Sequence, residues 1–235
     1  MDTNGHGVSR RAAVAAAVGA GTVGVAGVVA APAHAATRTL ERGHTGADVL
    51  ALQKRLGVLR YWCGTPDGTF GHLTQQAVWA LQKVGGVPRT GKVGPVEQSL
   101  LSRGTRTRPR STSGNVLEVD LRRQLLMVVG NGVLVYTLNT STGSGERYYS
   151  GSSWKTARTP TGSYSIYYRW PNGSQNGSLG AMWRPTYWRG DFAIHGSQSI
   201  PPYPASHGCC RVSTAAQDLL WAQGRVNIGR RVWVY

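Results

Sequence analysis

The chain has 235 residues, with 26 Lys and Arg against 10 Asp and Glu and a formal net charge of +16, which excludes an acidic disordered tail. Hydrophobic residues make up 40% and glycines number 32, enough apolar content to fold and about twice the roughly 7% glycine of an average protein; no Gly-X-Y period runs through it, so collagen is excluded. Eight Trp and ten Tyr stand beside only two Phe, so most aromatics are of the kind that keeps a polar tip in water.

The first segment reads as an address. Ser9-Arg10-Arg11 precedes a stretch from Ala12 to Val29 without a charge, and the small-residue pattern Ala33-His34-Ala35 follows Pro32. This is the layout of an export signal over residues 1–35, with the mature chain beginning near Ala36. The paired arginines resemble a twin-arginine signal. An uncleaved anchor is the alternative, since the stretch reaches the roughly 18 apolar residues that can span a bilayer. Gly19, Gly21, Gly24 and Gly27 weaken such a helix, so no stable membrane span is expected after cleavage. Export places the protein outside the cytoplasm, secreted or cell-wall associated. It also shifts the partners of so basic a surface from nucleic acid to anionic cell-wall polymers. Three cysteines, Cys63, Cys209 and Cys210, cannot all pair internally, which leaves at least one thiol for another use. Cys63, within Tyr61-Trp62-Cys63, reads as a small buried hydrophobe.

Thr45-Gly46-Ala47-Asp48 has the form of a capping-box start, followed by Val49, Leu52 and Leu56 on one helical face. After the turn-rich Gly64-Thr65-Pro66-Asp67-Gly68, apolar residues recur at Leu73, Ala77, Ala80 and Val84, a second buried helical stripe. Pro95 suits the first turn of a third, short helix through Leu100 and Leu101. The residues Gly46-Ala47-Asp48-Val49, Leu52-Gln53, Leu56, Asp67-Gly68-Thr69-Phe70-Gly71, Thr74, Ala77-Val78 and Leu81-Gln82 resemble the three-helix peptidoglycan-binding module. The likeness covers most of 40–101 and implies binding to peptidoglycan.

Residues 102–114 hold four arginines and no large apolar residue, the composition of a basic linker. Beyond it the period changes. Leu117, Val119 and Leu121 alternate with Glu118, Asp120 and Arg122, the two sets pointing opposite ways as along a strand. Leu125 to Val129, Gly130-Asn131-Gly132 and Val133 to Leu138 predict a hairpin. Tyr164 to Tyr168 and Arg231 to Tyr235 predict further strands, and Ser213 caps a helix carrying Ala216, Leu219 and Leu220 and closed by Gly224. The fold class is therefore α+β and multidomain: a small three-helix bundle, then a mostly-β unit over 115–235.

Chemistry concentrates in Phe192-Ala193-Ile194-His195-Gly196, a proline-rich stretch, and Ser206-His207-Gly208-Cys209-Cys210-Arg211. A thiol with a free pKa of about 8.5 is a poor nucleophile until an imidazole takes its proton. Gly208 lets the backbone turn so that amides can face an oxyanion. These residues suit a Cys/His acyltransferase or peptidase. Zinc is a rival, having two His and two Cys as ligand types, although adjacent cysteines rarely chelate one ion and Cys-x-x-Cys is absent. An inert core is the third reading.

His195-Gly196 with Ser206-His207-Gly208-Cys209-Cys210-Arg211 is similar to the signature of the L,D-transpeptidase catalytic domain, the YkuD family. The likeness extends through Val116 to Thr142-Gly143, Thr159-Pro160-Thr161-Gly162 and Gly229 to Val234. It implies a β-sandwich-like domain that cross-links peptidoglycan through the third residues of two stem peptides. By resemblance Cys209 is the nucleophile and His195 the base, with the Gly196 carbonyl orienting the imidazole. His207 shapes the site, amides of Gly208 and Cys209 form the oxyanion hole, and Arg211 holds a substrate carboxylate. Ser206, Tyr187 and Trp188 are placed among the substrate-binding residues; Tyr187, Trp188, Trp183 and Tyr203 flank the signature and either wall the site or are core aromatics anchored at the surface. Cys210 stands where the family usually has an aliphatic residue and reads as core. No metal and no organic cofactor is implied. The partners are a stem tetrapeptide donor and an amine acceptor. The alternatives are an L,D-carboxypeptidase, in which water replaces the amine, and a non-catalytic wall-binding protein.

Overall fold

The computed structural model describes residues 38–235; the export-signal reading of 1–35 lies outside the described residues. Among the described residues no helix is long and apolar enough to cross a membrane.

Three helices come first: α1 (Ala47–Val58), α2 (His72–Gly85) and α3 (Pro95–Ser102). Val49, Leu52 and Leu56 of α1 close on Ala77, Ala80 and Leu81 of α2 and Leu100 and Leu101 of α3, around a fully buried Phe70. The capping box expected at Thr45 does not form. Thr45 is held in a bridge with Thr69, which leaves Gly46 as the N-cap with no side-chain cap, and Asp48 pairs with Arg38 at 2.8 Å. Buried Gln53 fixes the turn before α2: its Oε1 accepts the amides of Asp67 and Gly68 at 3.0 and 2.8 Å, and its Nε2 donates to Asp67 Oδ1 at 2.8 Å.

The rest is two packed sheets. The first has the order β3 (Val133–Asn139), β2 (Leu125–Gly130), β1 (Val116–Asp120), β12 (Arg231–Val234), β6 (Gly162–Ser165). The second runs β11 (Cys210–Ser213), β10 (Phe192–Ser197), β9 (Gly180–Arg189), β7 (Tyr168–Arg169), with β8 (Ser174–Gly177) also on β9; β4 (Arg147–Ser150) and β5 (Ser153–Thr156) form a separate hairpin. The β2–β3 hairpin turns at Asn131 and Gly132 with φ of 49° and 77°, the left-handed pair of a two-residue loop that matches strand twist. Helix α4 (Thr214–Ala222) starts where Ser213 Oγ accepts the amide of Ala216 at 3.1 Å. Leu117, Leu126 and Val232 of the first sheet meet Trp188, Ile194 and Val212 of the second, with Ala216 and Leu220 of α4 closing the core.

Glu118 and Asp120, on the face of β1 opposite Leu117 and Val119, are 0% and 5% exposed. The reason is that residues 107–111 lie against the sheet: Thr107 and Ser111 are buried, the amides of Arg110 and Ser111 donate to the Glu118 carboxylate at 2.9 and 2.6 Å, and Tyr235 Oη donates to it at 3.0 Å. A carboxylate with three donors is tolerated in a dry site. Asp120 accepts from the amide and Nε of Arg123. The helical unit covers more of the same face. Leu125 of β2 belongs to the helical core, and Thr137 of β3 bonds to Arg60 and Trp62. Residues 38–235 accordingly form one compact unit.

Candidate active site

Strands β10 and β11 are parallel neighbours with His195 opposite Arg211 and Ile194 opposite Cys210. Alternation along a strand puts Cys209, just before β11, on the face of His195 and Arg211. Cys210 goes to the other face, where it is 0% exposed and packs with Ile194 in the sandwich core. The two thiols thus diverge, and the four residues weighed for zinc do not converge on one point. Burial pushes the Cys210 thiol far up, so it stays protonated. Cys63 is also buried, donates to Gln53 O at 3.5 Å and is pushed up to about 11.

His195 is 5% exposed, and its Nδ1 lies 3.0 Å from the carbonyl of Gly196. A carbonyl can only accept, so Nδ1 carries the proton and Nε2 is left as the acceptor. Burial lowers the imidazole to about 4, with the Arg211 charge adding to the fall and the Gly196 carbonyl opposing it. The half-buried Cys209 thiol donates to Asp191 O at 3.5 Å. Burial raises its pKa and Asp191 adds to the rise, while a backbone bond to Ala193 and the Arg211 charge pull it down. Both groups rest neutral near pH 7, the arrangement in which a base takes the thiol proton as attack proceeds rather than beforehand.

The turn that presents Cys209 is built from the signature itself. Gly208 has φ +137°, and a Cβ there would stand 2.6 Å from Phe192 and 3.0 Å from Arg158 O, so only glycine fits. Ser206 Oγ donates to Cys209 O at 2.6 Å and accepts the Gly208 amide at 3.0 Å, while Thr159 Oγ1 donates to Gly208 O at 2.7 Å. Two expectations change. Ser206 is 2% exposed with its hydroxyl spent inside the turn, so that hydroxyl shapes the turn. The Gly208 amide is engaged by Ser206 rather than free for an oxyanion.

The aromatic residues also sort by face. Tyr187 is opposite Ala193 in register, its Oη donates to Gln175 at 2.7 Å, and burial with the nearby Cys209 raises its pKa. Tyr168 stacks on it with ring centres 6.0 Å apart. Trp188, its neighbour in sequence, is 2% exposed in the sandwich core against Tyr164 and Phe192. Period-two alternation sends it away from the thiol, so of the two places open to it, site wall or core, it takes the core. Trp183 is tied to Asp218 at 2.8 Å and packs where a Gly196 Cβ would be, and Tyr203 is exposed. His207 meets the ring of Tyr148 edge-on at 4.6 Å. Tyr148 went unnoticed in the sequence because the β4–β5 segment has no periodic apolar pattern to mark it as a hairpin.

An imidazole with Nε2 unprotonated and a thiol on one sheet face, the thiol held by a glycine turn, is equipment that a cysteine acyltransferase needs. Comparison with known proteins supplies the family. Residues 114–234 match the L,D-transpeptidase catalytic domain (YkuD), and residues 45–99 match a peptidoglycan binding domain. The structure of the L,D-transpeptidase from Xylanimonas cellulosilytica is similar at 48% identity, over 84% of this chain and 98% of that one, with a TM-score of 0.81. An L,D-transpeptidase from Stackebrandtia nassauensis shares 20% identity over 83% and 94% of the two chains, with a TM-score of 0.47. A search of curated proteins finds no match. The chain belongs to the YkuD family of L,D-transpeptidases: it is an enzyme, and peptidoglycan is its substrate.

Proposed function

We propose that the enzyme forms third-to-third cross-links through a thioester on Cys209. His195 Nε2 takes the thiol proton as sulfur attacks the carbonyl between the third residue, a diamino acid, and the fourth, D-Ala, of a donor tetrapeptide. The C–N bond breaks, the imidazolium returns the proton to the leaving amine, and D-Ala departs. The side-chain amine of an acceptor stem then attacks the thioester, gives its proton to His195, and releases the thiol. Arg211, in register with His195, offers its fork to a substrate carboxylate, and Tyr187 walls the thiol. Residues 1–35 direct export, and the mature chain works in the wall, its positive charge holding it to anionic polymers.

The observation that carries this reading is the His195 tautomer fixed by Gly196 O, beside a thiol that shares its sheet face. The test is mass spectrometry of the protein incubated with a disaccharide-tetrapeptide, beside a Cys209→Ala control. Loss of D-Ala with a cross-linked dimer, absent in the control, is expected. Tripeptide alone would mark a carboxypeptidase, and a Cys209→Ala variant that still cross-links would remove the nucleophile from Cys209.

A further inference from the structure

Helix α2 of the peptidoglycan-binding unit has a second buried face that the bundle does not use. Lys83 on it is 4% exposed. Its Nζ donates to Gln124 O at 2.7 Å, to Thr140 O at 3.2 Å, and closely to Asn139 Oδ1. Three carbonyl oxygens converge on the one nitrogen. No carboxylate is among them, and burial, with Arg89 nearby, pulls the amine down to about 6. Such a site is costly, and a methionine of similar length would fill the space without that cost.

The oxygens lead toward the nucleophile. Asn139 Nδ2 donates to Gln76 Oε1, again on α2, at 2.6 Å, and to Ile200 O at 3.0 Å; Arg89 just beyond the helix donates to Pro202 O at 2.6 Å. The 139–142 segment then grips the signature turn. Ser141 Oγ donates to Tyr203 O, Thr142 O accepts the amides of Ala205 and Ser206 at 3.0 and 2.9 Å, and Thr140 Oγ1 donates to Arg211 O at 2.7 Å. The 200–205 segment that enters the Ser206–Arg211 turn and the 139–142 segment that grips it are therefore both fastened to the helical unit.

We propose that Lys83 and Arg89 are positioning residues for the reaction, and that the peptidoglycan-binding unit is a structural brace of the nucleophile turn rather than only an anchor. The proposal rests on Cys209 as nucleophile. A buried network of this kind holds its members to one geometry, and a misplacement of about 1 Å at a reacting atom costs on the order of a hundredfold in rate.

The experiment compares the parent protein with Lys83→Met, and with Arg89→Ala, whose side chain is only half-buried and whose loss leaves the core intact. Amide hydrogen exchange at Ala205, Ser206 and Gly208 and the kcat and KM for a disaccharide-tetrapeptide are measured below the melting temperature of each variant. The expected result is exchange faster by about tenfold or more at these amides in Lys83→Met and to a lesser degree in Arg89→Ala, with kcat lowered in the same order and KM little changed. A role in stability alone would lower the melting temperature and leave kcat of the folded protein at the parent value. Parent-like exchange at the three amides, or parent-like kcat in both variants, overturns the proposal. An inactive parent would count against the reaction proposed above, and the exchange comparison would still decide the brace.

Discussion

At Cys209 and His195, burial acts on two groups in opposite directions. It favours the neutral form of each, so it raises the thiol and lowers the imidazole. A preformed thiolate–imidazolium pair would need the reverse order of pKa values, as the strongly activated cysteines have. The pH dependence carries the sign. An ordinary histidine is lost as a base below about 6.5, whereas His195 at about 4 keeps Nε2 free well into acid. The acid limb of kcat/KM is therefore expected near pH 4 to 5. Alkylation of Cys209 by iodoacetamide should rise with pH past neutrality without an acid-side plateau, and a plateau at low pH would show an ion pair in place of the neutral one. Cys210 is the internal control, since a thiol that faces the core resists the reagent while the protein is folded.

Strand β9 separates two adjacent aromatic residues by function. Trp188 fills the sandwich core, and Tyr187 stands at the thiol. Trp188→Ala is expected to lower stability by about 3–5 kcal/mol, the range for a large aromatic cut from a core, while kcat of the folded fraction stays within about threefold. Tyr187→Ala, assayed where it is fully folded, should lower kcat/KM about tenfold or more by letting water reach the thiol. Urea denaturation and steady-state kinetics on both variants check this, and the opposite assignment of effects would reverse the faces. The pair also marks what was legible beforehand. Two neighbours on a strand cannot line one wall, so the period alone could have removed Trp188. The signature residues were legible because each is chemically constrained: Gly208 by its backbone, His195 and Cys209 by their reactivity. The second face of α2 was not. Gln76 and Lys83 are seven apart, hence on one side of the helix, but their polarity reads as solvated. The same holds for Glu118, whose burial depends on a segment whose composition gives no sign that it will pack.

Those two faces decide how the molecule behaves as a whole. The composition of residues 102–114 describes two units on a basic tether, free to melt apart. In the fold, the segment supplies the amides that satisfy Glu118, Leu125 of the sandwich sits in the helical core, and Lys83 of the bundle sits among sandwich carbonyls. Separating the units would leave an amine without its oxygens and an apolar side chain in water, and displacing residues 107–111 would leave a carboxylate without two of its donors. Hydrogen bonds to charged groups are each worth about 1.5–3 kcal/mol, and several of them broken together exceed what a small helical bundle can supply by itself. Calorimetry should accordingly show one transition, with calorimetric and van't Hoff enthalpies equal. Glu118→Ala should move that whole transition down rather than split it, because the segment it anchors also meets the helical unit, where Tyr61 Oη donates to Thr105 O at 3.0 Å. Two separable transitions in the parent protein would mean that the interface is too weak to couple them, and a split produced only by Glu118→Ala would locate the coupling in the 107–111 segment.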